Sequence, residues 1–69
     1  MKFSARNTLP GTVSKVTKGA VNTEVVMTLK GGQEVVAVIT NTSADALGLK
    51  AGKSAYAIIK ASSVIVAVD

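Results

Sequence analysis

Two short segments hold most of the side chains able to do chemistry: Ser4-Ala5-Arg6-Asn7 near the N-terminus and Lys60-Ala61-Ser62-Ser63 towards the other end. Both are rich in hydrogen-bond donors or positive charge, and neither contains a carboxylate. A site of guanidinium, ammonium, hydroxyl and backbone N–H groups, with no acceptor-only side chain, suits an oxyanion that carries no proton of its own. Taken singly, Arg6 reads as a solvated edge residue and Lys60 as a strand-end lysine reaching into water. As two donor blocks at opposite ends of so short a chain, they imply that the ends are brought together around such an anion.

Other chemistries find little support. The chain has no His and no Cys, which removes the commonest transition-metal ligand, thiolate zinc sites and disulfides. An acid or base would have to come from Glu, Asp, Lys or Tyr56, and the four carboxylates Glu24, Glu34, Asp45 and Asp69 are scattered. Catalysis of hydrolysis or group transfer is therefore not expected. Gly48 to Ser54 resembles a P-loop but has three residues between its glycines where the motif needs four. The motif also requires a helix after it, whereas a strand is expected here, so a plain loop is the better reading. Single-strand nucleic-acid binding relies on aromatic platforms among basic residues. Phe3 and Tyr56 are too few for that, and no basic cluster accompanies them.

These segments must be positioned by the elements between them. Sixty-nine residues make one domain, near the lower limit for a self-sufficient core. Apolar residues are 48% of the chain, mostly Val and Ala, which favour close sheet packing over a bulky monomeric centre. With disulfides and zinc excluded, oligomerisation is the remaining way to stabilise so small a fold. The net charge of +4 implies an anionic partner without naming it. No apolar run is long enough to span a membrane, and the N-terminus lacks the apolar region of a signal peptide. A cytoplasmic location is the default expectation.

In chain order, Lys2 to Arg6 is an edge strand or arm, and Leu9-Pro10-Gly11 is a breaker, since Pro10 is unsuited to a central strand. Thr12 to Thr17 alternates imperfectly, suggesting a bulged strand. After a turn at Lys18-Gly19-Ala20, Val21 to Leu29 alternates well, with Val21, Val25, Met27 and Leu29 on one face. Gly31-Gly32 turns a hairpin into Glu34–Thr40, whose middle is apolar on both faces and is expected to be covered on both. Thr42 or Ser43 then caps a short helix, Ser43 to Leu47, stopped by Gly48. Two further strands, Ser54 to Lys60 and Ser63 to Val68, complete the pattern. Short strands with one helical turn between the third and fourth predict an all-β, OB-like five-stranded barrel, oligomeric.

Across these blocks the chain resembles the molbindins, small cytoplasmic molybdate-binding proteins made of one Mop domain. The resemblance runs from Ser4-Ala5-Arg6-Asn7 through Gly19-Ala20-Val21, Val38-Ile39-Thr40, Leu47-Gly48-Leu49 and Gly52-Lys53 to Lys60-Ala61-Ser62-Ser63-Val64. It covers essentially residues 1–69 as a single Mop domain. It implies a homohexamer, a trimer of dimers, holding molybdate or tungstate at subunit interfaces, with no covalent cofactor and no side chain ligating a metal cation directly. The main oxyanion site implied is Ser4, Arg6, Asn7, Thr40, Ser43, Lys60, Ala61 and Ser62. A second site is implied near the threefold axis, for which the turn Gly19, Ala20, Val21, Asn22 is the candidate.

Residue chemistry agrees in one respect. Molybdate at neutral pH is a tetrahedral dianion with acceptors only, whereas phosphate keeps a proton that such a site leaves unpaired. Sulfate also lacks a proton, so only cavity size separates it from molybdate. The function expected is storage or buffering of the anion. The alternatives are an anion-sensing interaction module and, less favoured, an OB-type nucleic-acid binder.

Overall fold

A computed structural model describes residues 1–69. Four strands form one antiparallel sheet: β1 (Asn7–Lys18), β2 (Asn22–Leu29), β3 (Glu34–Thr40) and β4 (Ser54–Ile59), in the order β3-β2-β1-β4. A helix, α1 (Asn41–Leu47), follows β3, and a single 3₁₀ turn, Ala61–Ser63, follows β4. The sheet curls into a half-barrel whose concave side gathers Val13, Val25 and Met27, flanked by Val16, Ile39 and Leu49.

The long strand β1 is shared between two neighbours. Its first half, Asn7 to Thr12, pairs with β4, and its second half, Gly11 to Lys18, pairs with β2. The expected bulge lies at Ser14, where the register shifts between Val13 and Lys15, and Ser14 Oγ donates to the Val26 carbonyl at 3.1 Å. The strand starts at Asn7, however, earlier than Pro10 suggested. Pro10 pairs only with Tyr56 on β4, because β2 begins to pair at Gly11. A proline on the one-sided part of a strand disrupts no second ladder.

The helix also begins earlier than expected. Thr40, rather than Thr42 or Ser43, is its cap, with the Thr40 hydroxyl accepting from Ser43 N–H at 3.1 Å. Gly48 stops it in the left-handed conformation, as anticipated (φ 61°). Lys53 Nζ, 2.6 Å from the Leu47 carbonyl oxygen, satisfies the helix's last turn.

The largest departure is at the C-terminus. Ser63 to Val68 is not a strand of this chain: beyond the 3₁₀ turn the segment pairs with nothing, and Ile65, Val66 and Val68 are 93%, 85% and 92% exposed. The barrel therefore has four strands from one chain, with β3 and β4 each presenting an unpaired edge. Likewise β3 is not covered on both faces within the chain, and Val36 and Val38 stand open at 60% and 64%. No helix is long and apolar enough to cross a membrane.

Candidate functional site

The ladder between β1 and β4 ends at the pair Asn7↔Ile59. The side chain of Asn7 adds a bond to that last rung, its Nδ2 donating to the Ile59 carbonyl at 3.1 Å. Arg6 and Lys60 are the next residue on each side, so the two donor blocks of the sequence leave the sheet together. Thr8 and Ile58 alternate onto the exposed face of the ladder. Arg6 lies at a bend just before β1 and Lys60 just after β4, each one residue beyond the last paired rung. Both are exposed, and the chain's one ion pair, Lys18 Nζ to Asp45 Oδ2 at 3.6 Å, lies elsewhere. Neither cation is neutralised by a carboxylate.

Lys60 leads directly into the 3₁₀ turn. Ser63 N–H bonds the Lys60 carbonyl at 2.9 Å and Val64 N–H bonds the Ala61 carbonyl at 3.3 Å. The N–H groups of Ala61 and Ser62, ahead of those two, have no acceptor within the turn and remain donors for something outside it. Arg6, Lys60, Ala61 and Ser62 thus lie within three residues of the last rung of the β1–β4 ladder, and Ser4 three residues before it. Asn7 sits with them but turns one amide proton inward to Ile59.

Thr40 and Ser43 are elsewhere. Thr40 pairs with Asn22 at the start of β2, and β2 there runs beside Lys18, the far end of β1. A strand of 12 residues at about 3.3 Å each covers on the order of 40 Å when straight, several times the reach of a side chain. Within one chain, then, Thr40 and Ser43 do not join Arg6 and Lys60. They lie beside the Gly19–Asn22 turn, whose four residues are all exposed. Thr40 Oγ1 donates to Ser43 Oγ at 2.8 Å while accepting from Ser43 N–H. The Ser43 amide is consequently occupied, and Ser43 contributes its own hydroxyl proton instead.

A residue that sequence reasoning passed over organises this second region. Asn41 accepts from Thr23 Oγ1 (2.5 Å), donates through Nδ2 to the Gly19 carbonyl (2.9 Å), and donates its backbone N–H to the Val21 carbonyl (2.9 Å). Thr23 is the only buried polar side chain, at 1% exposure. The available signal was Thr23 itself, a hydroxyl on the apolar face of Val25 and Met27, which must find a buried partner. No group of three or more His, Cys, Asp or Glu residues is placed to hold a metal ion.

A profile of the TOBE domain matches residues 4–66. The chain is a TOBE domain of the molbindin (Mop) family. A Haemophilus influenzae relative named "probable molybdenum-pterin-binding protein" is 44% identical over 69 residues, covering all of both molbindin chains. The structure of a molybdate-binding protein from Sporomusa ovata superposes with a TM-score of 0.93 at 41% identity, covering 99% of this chain and all of that one. That of ModG, described as a cytoplasmic molybdate-binding protein with molybdate bound, gives 0.91 at 51% identity, covering 94% of this molbindin and 46% of the other chain. This molbindin spans about a quarter of the length of the longer curated relatives it matches.

Proposed function

We propose that residues 1–69 act as one Mop domain that captures molybdate or tungstate reversibly in the cytoplasm, storing or buffering the anion without transforming it. The observation that carries this reading is the last rung of the β1–β4 ladder, Asn7↔Ile59, which brings the two donor blocks to one end of the sheet with neither Arg6 nor Lys60 in an ion pair. Arg6 supplies a forked pair of N–H donors and Lys60 a point charge, with Ser4, Ser62 and the Ala61 and Ser62 amides completing a donor-rich wall that has no carboxylate. A bare dianion satisfies every such donor. A protonated phosphate brings a proton for which this wall holds no carboxylate, so only a serine hydroxyl is left to accept it.

Assembly belongs to the same reading. Thr40 and Ser43 contribute to the main site only if a second copy brings its α1 end against the first copy's Arg6–Lys60 end, which supports binding at interfaces. The unpaired edges of β3 and β4, with an apolar trough between them lined by Val25, Met27, Ile39 and Ala57, leave room for one more strand. Val64–Val68 of another copy, apolar at every position and long enough for a short strand, is suited to fill it, giving the five-stranded barrel as a shared structure. A trimer of dimers is the assembly proposed, with the Gly19–Asn22 turn at a second kind of anion site.

Titration calorimetry with molybdate tests the main site. Arg6→Ala and Lys60→Ala are each expected to weaken binding by at least about tenfold, the usual worth of a charge-assisted hydrogen bond, while the sheet stays folded. Arg6→Lys is expected to fail as a replacement, because one ammonium does not reproduce the fork. Unchanged affinity in both alanine variants removes the site. A second reading, binding of a molybdenum pterin, draws on the name of the Haemophilus relative. A pterin ring needs a stacking surface, and the only aromatics are Phe3 and Tyr56. Competition of a free pterin with molybdate would favour that reading.

A further inference from the structure

Asn7 stands among the donor residues at the open end of the sheet, yet its side chain does not point away from the protein. Its Nδ2 bonds the Ile59 carbonyl, a residue 52 positions away and the last rung of the β1–β4 ladder. Immediately beyond that rung stand two cations, Arg6 one residue before Asn7 and Lys60 one residue after Ile59. Like charges directly opposite one another on neighbouring strands destabilise the pairing. Neither cation has a carboxylate to relieve it, and the chain before Asn7 belongs to no strand. In the anion-free protein this end of the ladder is therefore pushed apart by the same charges that bind the anion. The backbone bonds of one terminal rung are all that oppose fraying, apart from the Asn7 amide.

We propose that Asn7 is a positioning residue rather than an anion ligand: its amide clasps β1 to β4 and keeps Arg6 registered against Lys60 while the site is empty. This rests on the reading of the preceding section and refines it. A clasp of this kind lowers the reorganisation needed when the anion arrives, so its loss appears as weaker binding transmitted through Arg6 and Lys60.

Two measurements on the full chain test the proposal. Amide hydrogen exchange of Ile59, the β4 residue of the last rung, without anion is expected to be about fivefold faster in Asn7→Ala, one hydrogen bond's worth. Adding Arg6→Gln to Asn7→Ala removes the repulsion and is expected to restore protection. Molybdate titration should show Asn7→Ala binding about fivefold more weakly, with little further loss when it is added to Arg6→Ala. Exchange unaltered by Asn7→Ala, or protection not restored by Arg6→Gln, overturns the proposal. So does a loss of molybdate affinity that adds in full to that of Arg6→Ala, the mark of a direct ligand. Should the parent chain bind no molybdate, the storage function falls, while the exchange experiment still decides the clasp.

Discussion

Gly11 is the residue at which the sheet tolerates least. A Cβ there would stand 2.7 Å from the Thr28 carbonyl oxygen and 3.2 Å from a Leu29 methyl, and the nearer atom is backbone that cannot rotate away. Gly11↔Leu29 and Gly11↔Ala55 are the positions where β1 first holds both neighbours, so a shift there strains two ladders together. Gly11→Ala is expected to cost about 1–3 kcal/mol in urea unfolding, the usual range for overpacking a tight site. Thr23 gives a second residue-scale outcome. Thr23→Val keeps the shape but leaves Asn41 Oδ1 without its donor, and should cost about 1–2 kcal/mol in the same measurement. The donors of the proposed anion site could be named from sequence because Arg, Lys and Ser announce their chemistry by type. Asn41 was not, because an asparagine at a helix start is ordinary, and only Thr23 on the inner face of β2 makes it exceptional.

Among the elements, α1 shows how a boundary escapes local reading. The run Thr40-Asn41-Thr42-Ser43 offers four residues that all make good caps, and side-chain chemistry alone does not choose between them. The choice is made by the sheet: β3 pairs through Thr40↔Asn22, so the chain is extended up to Thr40 and free to turn immediately after it. Thr40→Ala removes the acceptor for Ser43 N–H and is expected to destabilise the protein by about 1 kcal/mol in thermal or urea unfolding, whereas Thr42→Ala should be near neutral. Strand β2 and the Gly31-Gly32 hairpin were legible for the opposite reason, since alternation and turn glycines are local signals. The early start of β1 was hidden by Pro10, whose ban from central strands holds only where a strand has partners on both sides. Even so, placing the two donor blocks on one ladder end needed the β1–β4 register, a relation across most of the chain.

At the scale of the whole molecule, little of one copy is buried. Only five of 69 residues are buried, and a core of Val13, Val25, Met27 and Ala44 offers little apolar burial against the conformational entropy of ordering the chain. The missing burial is visible as surface: Val36 and Val38 on β3, Tyr56 on β4, and the unpaired run to Val68. The apolar pattern of β3 predicts cover on both faces, and that of Ser63 to Val68 a fifth strand; within this chain Val36 and Val38 are open and the fold has four strands. If copies supply that cover, folding is linked to association, and the melting temperature must rise with protein concentration and again with added molybdate. Val66→Asp places a charge where the fifth strand would enter the apolar trough between β3 and β4. It is expected to shift sedimentation from the oligomer towards monomer and to lower the melting temperature, although Val66 makes no buried contact within its own chain. A parent chain that sediments as a monomer and melts at the same temperature across a hundredfold dilution would defeat this account. In that case the open edges of β3 and β4 would have to be stable in water unaided, contrary to what exposed apolar strand edges normally do.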